Sequence, residues 1–229
     1  MRQLAAGGPD LRQKILIAAG AMAINAVLYL VPNHVQLGTP RLLWWTRIDQ
    51  GTPFLPPTVW IYFSDYALVS SAFLVSEGWD EVKRFVRAYF VLLAIGAVIH
   101  FTWPTVFPRE AFPVTGEGLS DRALASLRGV DAATSCMPSM HVAGSYLAAF
   151  SLWHRRRSLF LGYVLWATAI AVSTLTTKQH YLVDVISGLS LAAVLGAMFF
   201  WIPEFRGKDR AAWAGASSRS SSAAGARSG

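Results

Sequence analysis

The sequence predicts an all-α polytopic membrane protein with six transmembrane helices, an interfacial helix and an outer-face loop. Three observations carry that expectation. The 229 residues are 54% hydrophobic and only 14% charged, with a mean hydropathy of +0.40, which is too apolar for a soluble domain of this size. Six apolar stretches, at residues 14–31, 57–76, 84–103, 138–153, 158–176 and 180–202, approach the roughly 17–25 residues that a helical span requires. With six spans, 14 Lys and Arg fall on the side of the two termini and 6 on the other, so the positive-inside rule puts both termini in the cytoplasm. The net charge of +7 then reflects topology, with a polybasic contact to anionic lipid heads as a further reading, and no nucleic-acid partner is expected.

Residues 1–13 read as a short cytoplasmic lead. The first span is not followed by a small-residue cleavage site but by Val31-Pro32-Asn33, so it is expected to be retained. It carries Asn25, a residue expected to bond a neighbouring helix. In the next connection Leu42-Leu43-Trp44-Trp45 is too short to span, and an interfacial helix starting near Pro40 is expected. Asp65 lies inside span two and needs a partner, for which His100 in span three is the candidate. The connection 104–137 is the longest; Ser120-Asp121 with Leu124 and Leu127 predicts one short amphipathic helix there, and the length suits a lid. The fourth apolar stretch is short enough to be tilted or partly re-entrant. The main domain is thus 14–203, and the Ala-, Ser-, Gly- and Arg-rich residues 204–229 read as a disordered cytoplasmic tail.

Topology alone gathers the chemistry at the non-cytoplasmic face: Arg109 in the third loop, Ser139 and His141 opening span four, Lys178 and His180 opening span six. His180 and Asp184 are four apart, one turn on a helix, where a carboxylate fixes an imidazole's tautomer and steadies its developing charge. Pro138 is expected as the first residue of its helix, leaving the amides of Ser139, Met140 and His141 free for an anion such as phosphate. Thr176 or Thr177 is expected to cap span six, and Arg109 and Lys178 would add charge. Two histidines allow one nucleophile and one general acid. Two His and one Asp could also ligate zinc, a reading that the surrounding cations oppose. A relay of Asp65, His100, His141, His180 and Asp184 in a transporter is a further alternative, against which the polar groups cluster at one face. Cys136 is the single cysteine, excludes an internal disulfide, and reads as packing.

Three segments in this order resemble the type-2 phosphatidic acid phosphatase superfamily, whose blocks are Lys-x6-Arg-Pro, Pro-Ser-Gly-His and Ser-Arg-x5-His-x3-Asp. The second block is matched by Pro138-Ser139-Met140-His141, with Met140 for glycine. The third is matched at Ser173, His180 and Asp184, with Thr174 at the arginine position. Of the first only Arg109 remains, since Thr102 and Glu110 stand at the lysine and proline positions. The motifs cover roughly residues 100–190. The resemblance implies a metal-independent membrane enzyme without cofactor. In it His180 forms a phosphohistidine, Asp184 orients it, His141 protonates the leaving group, and Arg109 and Ser139 bind phosphate; Lys178 is the candidate to replace a missing cation. Lys178-Gln179-His180-Tyr181, and the stretch from Asp49 to Tyr62 with Pro53, Pro56 and Trp60, are similar to a branch that includes inositolphosphorylceramide synthases. That likeness implies transfer of a phospho-headgroup between lipids. The alternatives it leaves are simple hydrolysis of a lipid phosphate (phosphatidic acid, phosphatidylglycerol phosphate or a polyprenyl pyrophosphate) and a non-enzymatic scaffold.

Overall fold

The computed structural model describes residues 8–203; the expected tail and the first seven residues of the lead lie outside them. The described residues form eight α-helices: α1 Leu11–His34, α2 Arg47–Gly51, α3 Val59–Val75, α4 Trp79–Thr102, α5 Leu119–Val130, α6 Met140–Ser151, α7 Arg157–Thr176 and α8 Leu182–Gly196, the last running on as a π-helical turn, Ala197–Trp201. Five helical segments are long and apolar enough to cross a membrane: α1, Pro56–Val75, α4, α7 and Leu182–Trp201. The fourth expected span, 138–153, is shorter than the other five. α6 has 12 residues, a rise of about 18 Å against the ~30 Å of a bilayer's hydrocarbon core.

α6 is the hub all the same. It touches α3, α4, α7 and α8, and small residues on its faces (Ala143, Gly144, Ser145, Ala148, Ala149) let those backbones come close. Its two ends lie at opposite ends of the bundle. Past its C-terminus, Arg155 ion-pairs Glu77 and Glu81, in the corner between α3 and α4. At its N-terminus Ser139 N–H donates to the Asp184 carbonyl at the start of α8. α8 comes this close because residue 188 is glycine: a Cβ there would sit 2.5 Å from the Ser139 carbonyl oxygen.

The outer-face connections differ from expectation in part. No interfacial helix begins at Pro40. Instead Arg41–Leu42 (β1) pairs in parallel with Thr105–Val106 (β2), and the helix starts at Arg47, where Thr46 and Asp49 cap each other reciprocally. Trp44 is exposed, while Trp45 packs on Phe107, Phe112 and Tyr181. The amphipathic α5 is present, with Leu124 buried beneath it. Buried Asn33, in the last turn of α1, fixes the segment after α5 through bonds to Ala132 N–H and the carbonyls of Ala132 and Thr134.

Candidate active site

The third block lies in the turn between α7 and α8. α7 ends at Thr176, and Lys178 takes a left-handed conformation (φ 55°) just beyond it, so that the amides of Gln179 and His180 bond back to the Thr174 carbonyl. Thr176 and Thr177 therefore do not cap α8; their hydroxyls bond carbonyls of α7. Two carboxylates perform the cap instead. Asp49 Oδ1 accepts from Leu182 N–H at 2.7 Å, and Asp184 Oδ2 accepts from Tyr181 N–H at 2.9 Å. His180 thus precedes the helix, and the pair meets because Asp184 reaches backwards: His180 Nδ1 lies 3.3 Å from Asp184 Oδ2. Asp184 is fully buried, and its Oδ1 has no partner. A carboxylate only accepts, so Nδ1 donates and Nε2 keeps its lone pair.

The second block supplies the opposite wall. The Met137–Pro138 bond is cis, Ser139 is the N-cap, and the helix begins at Met140 rather than at Pro138. The Ser139 amide is taken by Asp184, and its Oγ accepts only a long 3.5 Å bond from Val142 N–H, so the amides of Met140 and His141 are those left at this helix start. Met140, where the resembled pattern has glycine, is accommodated from across the bundle. Gly96 of α4 faces it, and a Cβ at 96 would meet the Met140 sulfur at 2.4 Å. His141 faces His180 with ring centroids 6.3 Å apart.

Further residues surround this pair, of which Arg109 was expected and Asp131, Tyr29 and Arg128 were not. Tyr62 of α3 lies against His141, centroids 4.2 Å apart, with its hydroxyl 3.2 Å from Nδ1. Arg109 is buried and donates to the Asp131 carbonyl and, at 3.0 Å, to Asp131 Oδ2, while its Nε has no partner. Asp131 also accepts from the Tyr29 hydroxyl of α1 at 2.8 Å. Arg128 of α5 spans from the Phe112 carbonyl to the Thr177 carbonyl. Partial burial, with Arg109 nearby, lowers its pKa to about 10.

Lys178 is placed differently from the other expected site residues. Its ammonium donates to the carbonyls of Asp49 and Thr52 and lies over the Phe112 ring, so it ties the α2 segment to the turn before His180. Burial lowers its pKa, against the charge of Asp49. Asp65 bonds Ser145 of α6 at 2.5 Å rather than His100, which turns instead to the Pro138 carbonyl. The Cys136 thiol is buried and pushed up by that burial. Among the described residues no three His, Cys, Asp or Glu converge as a metal-ligand set.

With this geometry in place, the sequence comparison is decisive: residues 35–198 match the model of the PAP2 superfamily. The chain belongs to the PAP2 superfamily. No curated protein and no solved structure matches it. PAP2 members are generally phosphatases or phosphotransferases, and the apolar helices place this one among membrane proteins acting on lipid phosphates. The matched segment contains both histidine blocks, the Arg109–Asp131 pair and the whole of α5.

Proposed function

We propose that this PAP2 protein is a metal-independent lipid phosphotransferase that works through a phosphohistidine on His180 and passes a phospho-headgroup from one lipid to another. The observation that carries the reading is the buried Asp184 holding His180 Nδ1, with the His141 ring facing it at 6.3 Å, centroid to centroid. His180 Nε2 attacks phosphorus, the bond from phosphorus to the lipid oxygen breaks, and His141 Nε2 gives that oxygen its proton. Tyr62, accepting from Nδ1–H, leaves Nε2 as the nitrogen of His141 that exchanges protons. Arg109 Nε, the Ser139 hydroxyl and the amides at the start of α6 receive the phosphate oxygens. In the second half-reaction an alcohol attacks the phosphohistidine and His141 takes back a proton.

The same reading makes α6 a short sixth crossing of the bundle, with both termini cytoplasmic and the histidines at the periplasmic or extracellular face of the cell membrane. The arginine-rich turn after α6 lies at the opposite end from the site, which supports that orientation. Lys178 keeps a supporting part, holding the turn that presents His180, and Arg109 Nε, which has no partner, is the cationic donor for phosphate in this reading. The test is a panel of radiolabelled phospholipids in mixed micelles with chelator, followed by thin-layer chromatography, wild type beside His180→Ala. A new phospholipid that depends on His180 is the expected product. Free phosphate or phospho-headgroup alone would replace transfer by hydrolysis, and equal behaviour of the two proteins would overturn the catalytic assignment.

A further inference from the structure

His141 also borders a cavity. About 190 Å³ in volume, it runs between α1, α3 and α5 and ends on the His141 ring. The outer walls are apolar: Met22, Ala26 and Leu30 from α1, Leu127 and Val130 from α5. α1 itself exposes Ile24, Val27 and Val31 on its outward face, so the groove lies one helix from the bilayer. Asn25, Tyr29 and Tyr66 line this groove and also a smaller cavity of about 20 Å³, which reaches Asp65 beneath His141 and has room for one water or hydroxyl. Asn25 makes no side-chain hydrogen bond among the described residues. An amide so placed in a membrane helix calls for a partner that the fold does not supply.

The lining states what would fit. It contains no Lys or Arg. Its one acid is Asp131, already held by Arg109 and Tyr29, while Asp65, in the smaller cavity, is bonded to Ser145. A phosphate-bearing headgroup would meet no cation there, and apolar walls suit acyl chain better than water. Its polar groups are those of Asn25, Tyr29, Tyr62, Tyr66, Asp131 and His141.

We propose that this groove binds a neutral lipid alcohol from the bilayer, with its hydroxyl at His141 and a second hydrogen-bonding group at Asn25 and Tyr66. This rests on the phosphotransferase reading and adds where the acceptor sits. The alcohol oxygen bonds to phosphorus, the phosphorus–nitrogen bond to His180 breaks, and the alcohol proton passes to His141 Nε2.

The test uses two diazirine probes of identical chains in zwitterionic vesicles, one a diacylglycerol and one the corresponding phosphocholine lipid. Photolabelling of the full chain is mapped by mass spectrometry. The diacylglycerol probe should label the α1 and α5 peptides around Ala26 and Leu127 about tenfold more than the phosphocholine probe, a preference equivalent to ~1.4 kcal/mol. Ala26→Trp should remove that excess, and Leu127→Trp, on the loop helix, gives the same reading if Ala26→Trp fails to fold. A parallel arm follows ³²P on His180. Equal labelling by both probes, or labelling indifferent to both tryptophans, overturns the groove whatever His180 does. Absence of label on His180 with the probe preference intact refutes the phosphohistidine alone.

Discussion

Asp131→Asn tests how Arg109 is aimed. In the native site the guanidinium is clamped along one edge, one nitrogen on the Asp131 carbonyl and another 3.0 Å from Oδ2, so that Nε is left for a ligand. Asparagine keeps the backbone contact and the shape but replaces a charge-assisted bond, worth about 1.5–3 kcal/mol, by a neutral one of about 1. A loss of about 1.4 kcal/mol in donor binding corresponds to a tenfold rise in KM for the phospholipid. Asp131→Ala goes further: it strips the partner from a buried cation, with Tyr29 losing its acceptor too, and should cost about 3–5 kcal/mol of stability. Initial rates over a range of donor mole fractions in mixed micelles, together with thermal melts, separate the two effects. An unchanged KM in Asp131→Asn would refute the aiming argument. A lowered KM would show that Asp131 competes with phosphate for Arg109.

Three further substitutions follow from the same geometry. Tyr62→Phe removes one hydrogen bond, about 1 kcal/mol, from His141 and should lower kcat about fivefold with little change in the melting temperature; an unaltered kcat would remove Tyr62 from the proton path. Lys178→Met should lower the melting temperature while donor KM stays within about twofold, because its ammonium serves two carbonyls of the α2 segment; a large KM effect without loss of stability would restore it to the phosphate. Gly188→Ala forces a methyl to within 2.5 Å of the Ser139 carbonyl, so it should reduce both stability and turnover, and wild-type behaviour would show that α6 and α8 have slack there.

The parts of the site that were legible in the sequence are those whose spacing is local. Asp184 four residues after His180 reads as a pair whether both lie on a helix or, as here, the carboxylate caps a helix that the histidine precedes. Pro138-Ser139 marks a helix start to within two residues. What could not be read depends on chain segments far apart. Asp131 carries no pattern, and only the fold sets it against Arg109 and Tyr29; Tyr62 looks like any aromatic residue of a span. The direction of Lys178 could not be read from its nearness in sequence to His180, because its left-handed backbone turns the side chain to Asp49 and Thr52. Met140 departs from the glycine of its block, and the compensating glycine is on another helix, at 96. Length misled at α6, where apolar character extends past both ends of a 12-residue helix.

The most direct test of the account is to trap the covalent intermediate. Protein in mixed micelles with chelator is mixed with ³²P-labelled donor phospholipid, quenched in alkali within one turnover, and digested for peptide mapping. The account predicts acid-labile, alkali-stable label on His180, much reduced in Asp184→Asn and absent from His180→Ala. Label on any other residue, or turnover by the wild type with no label on the protein, would contradict it.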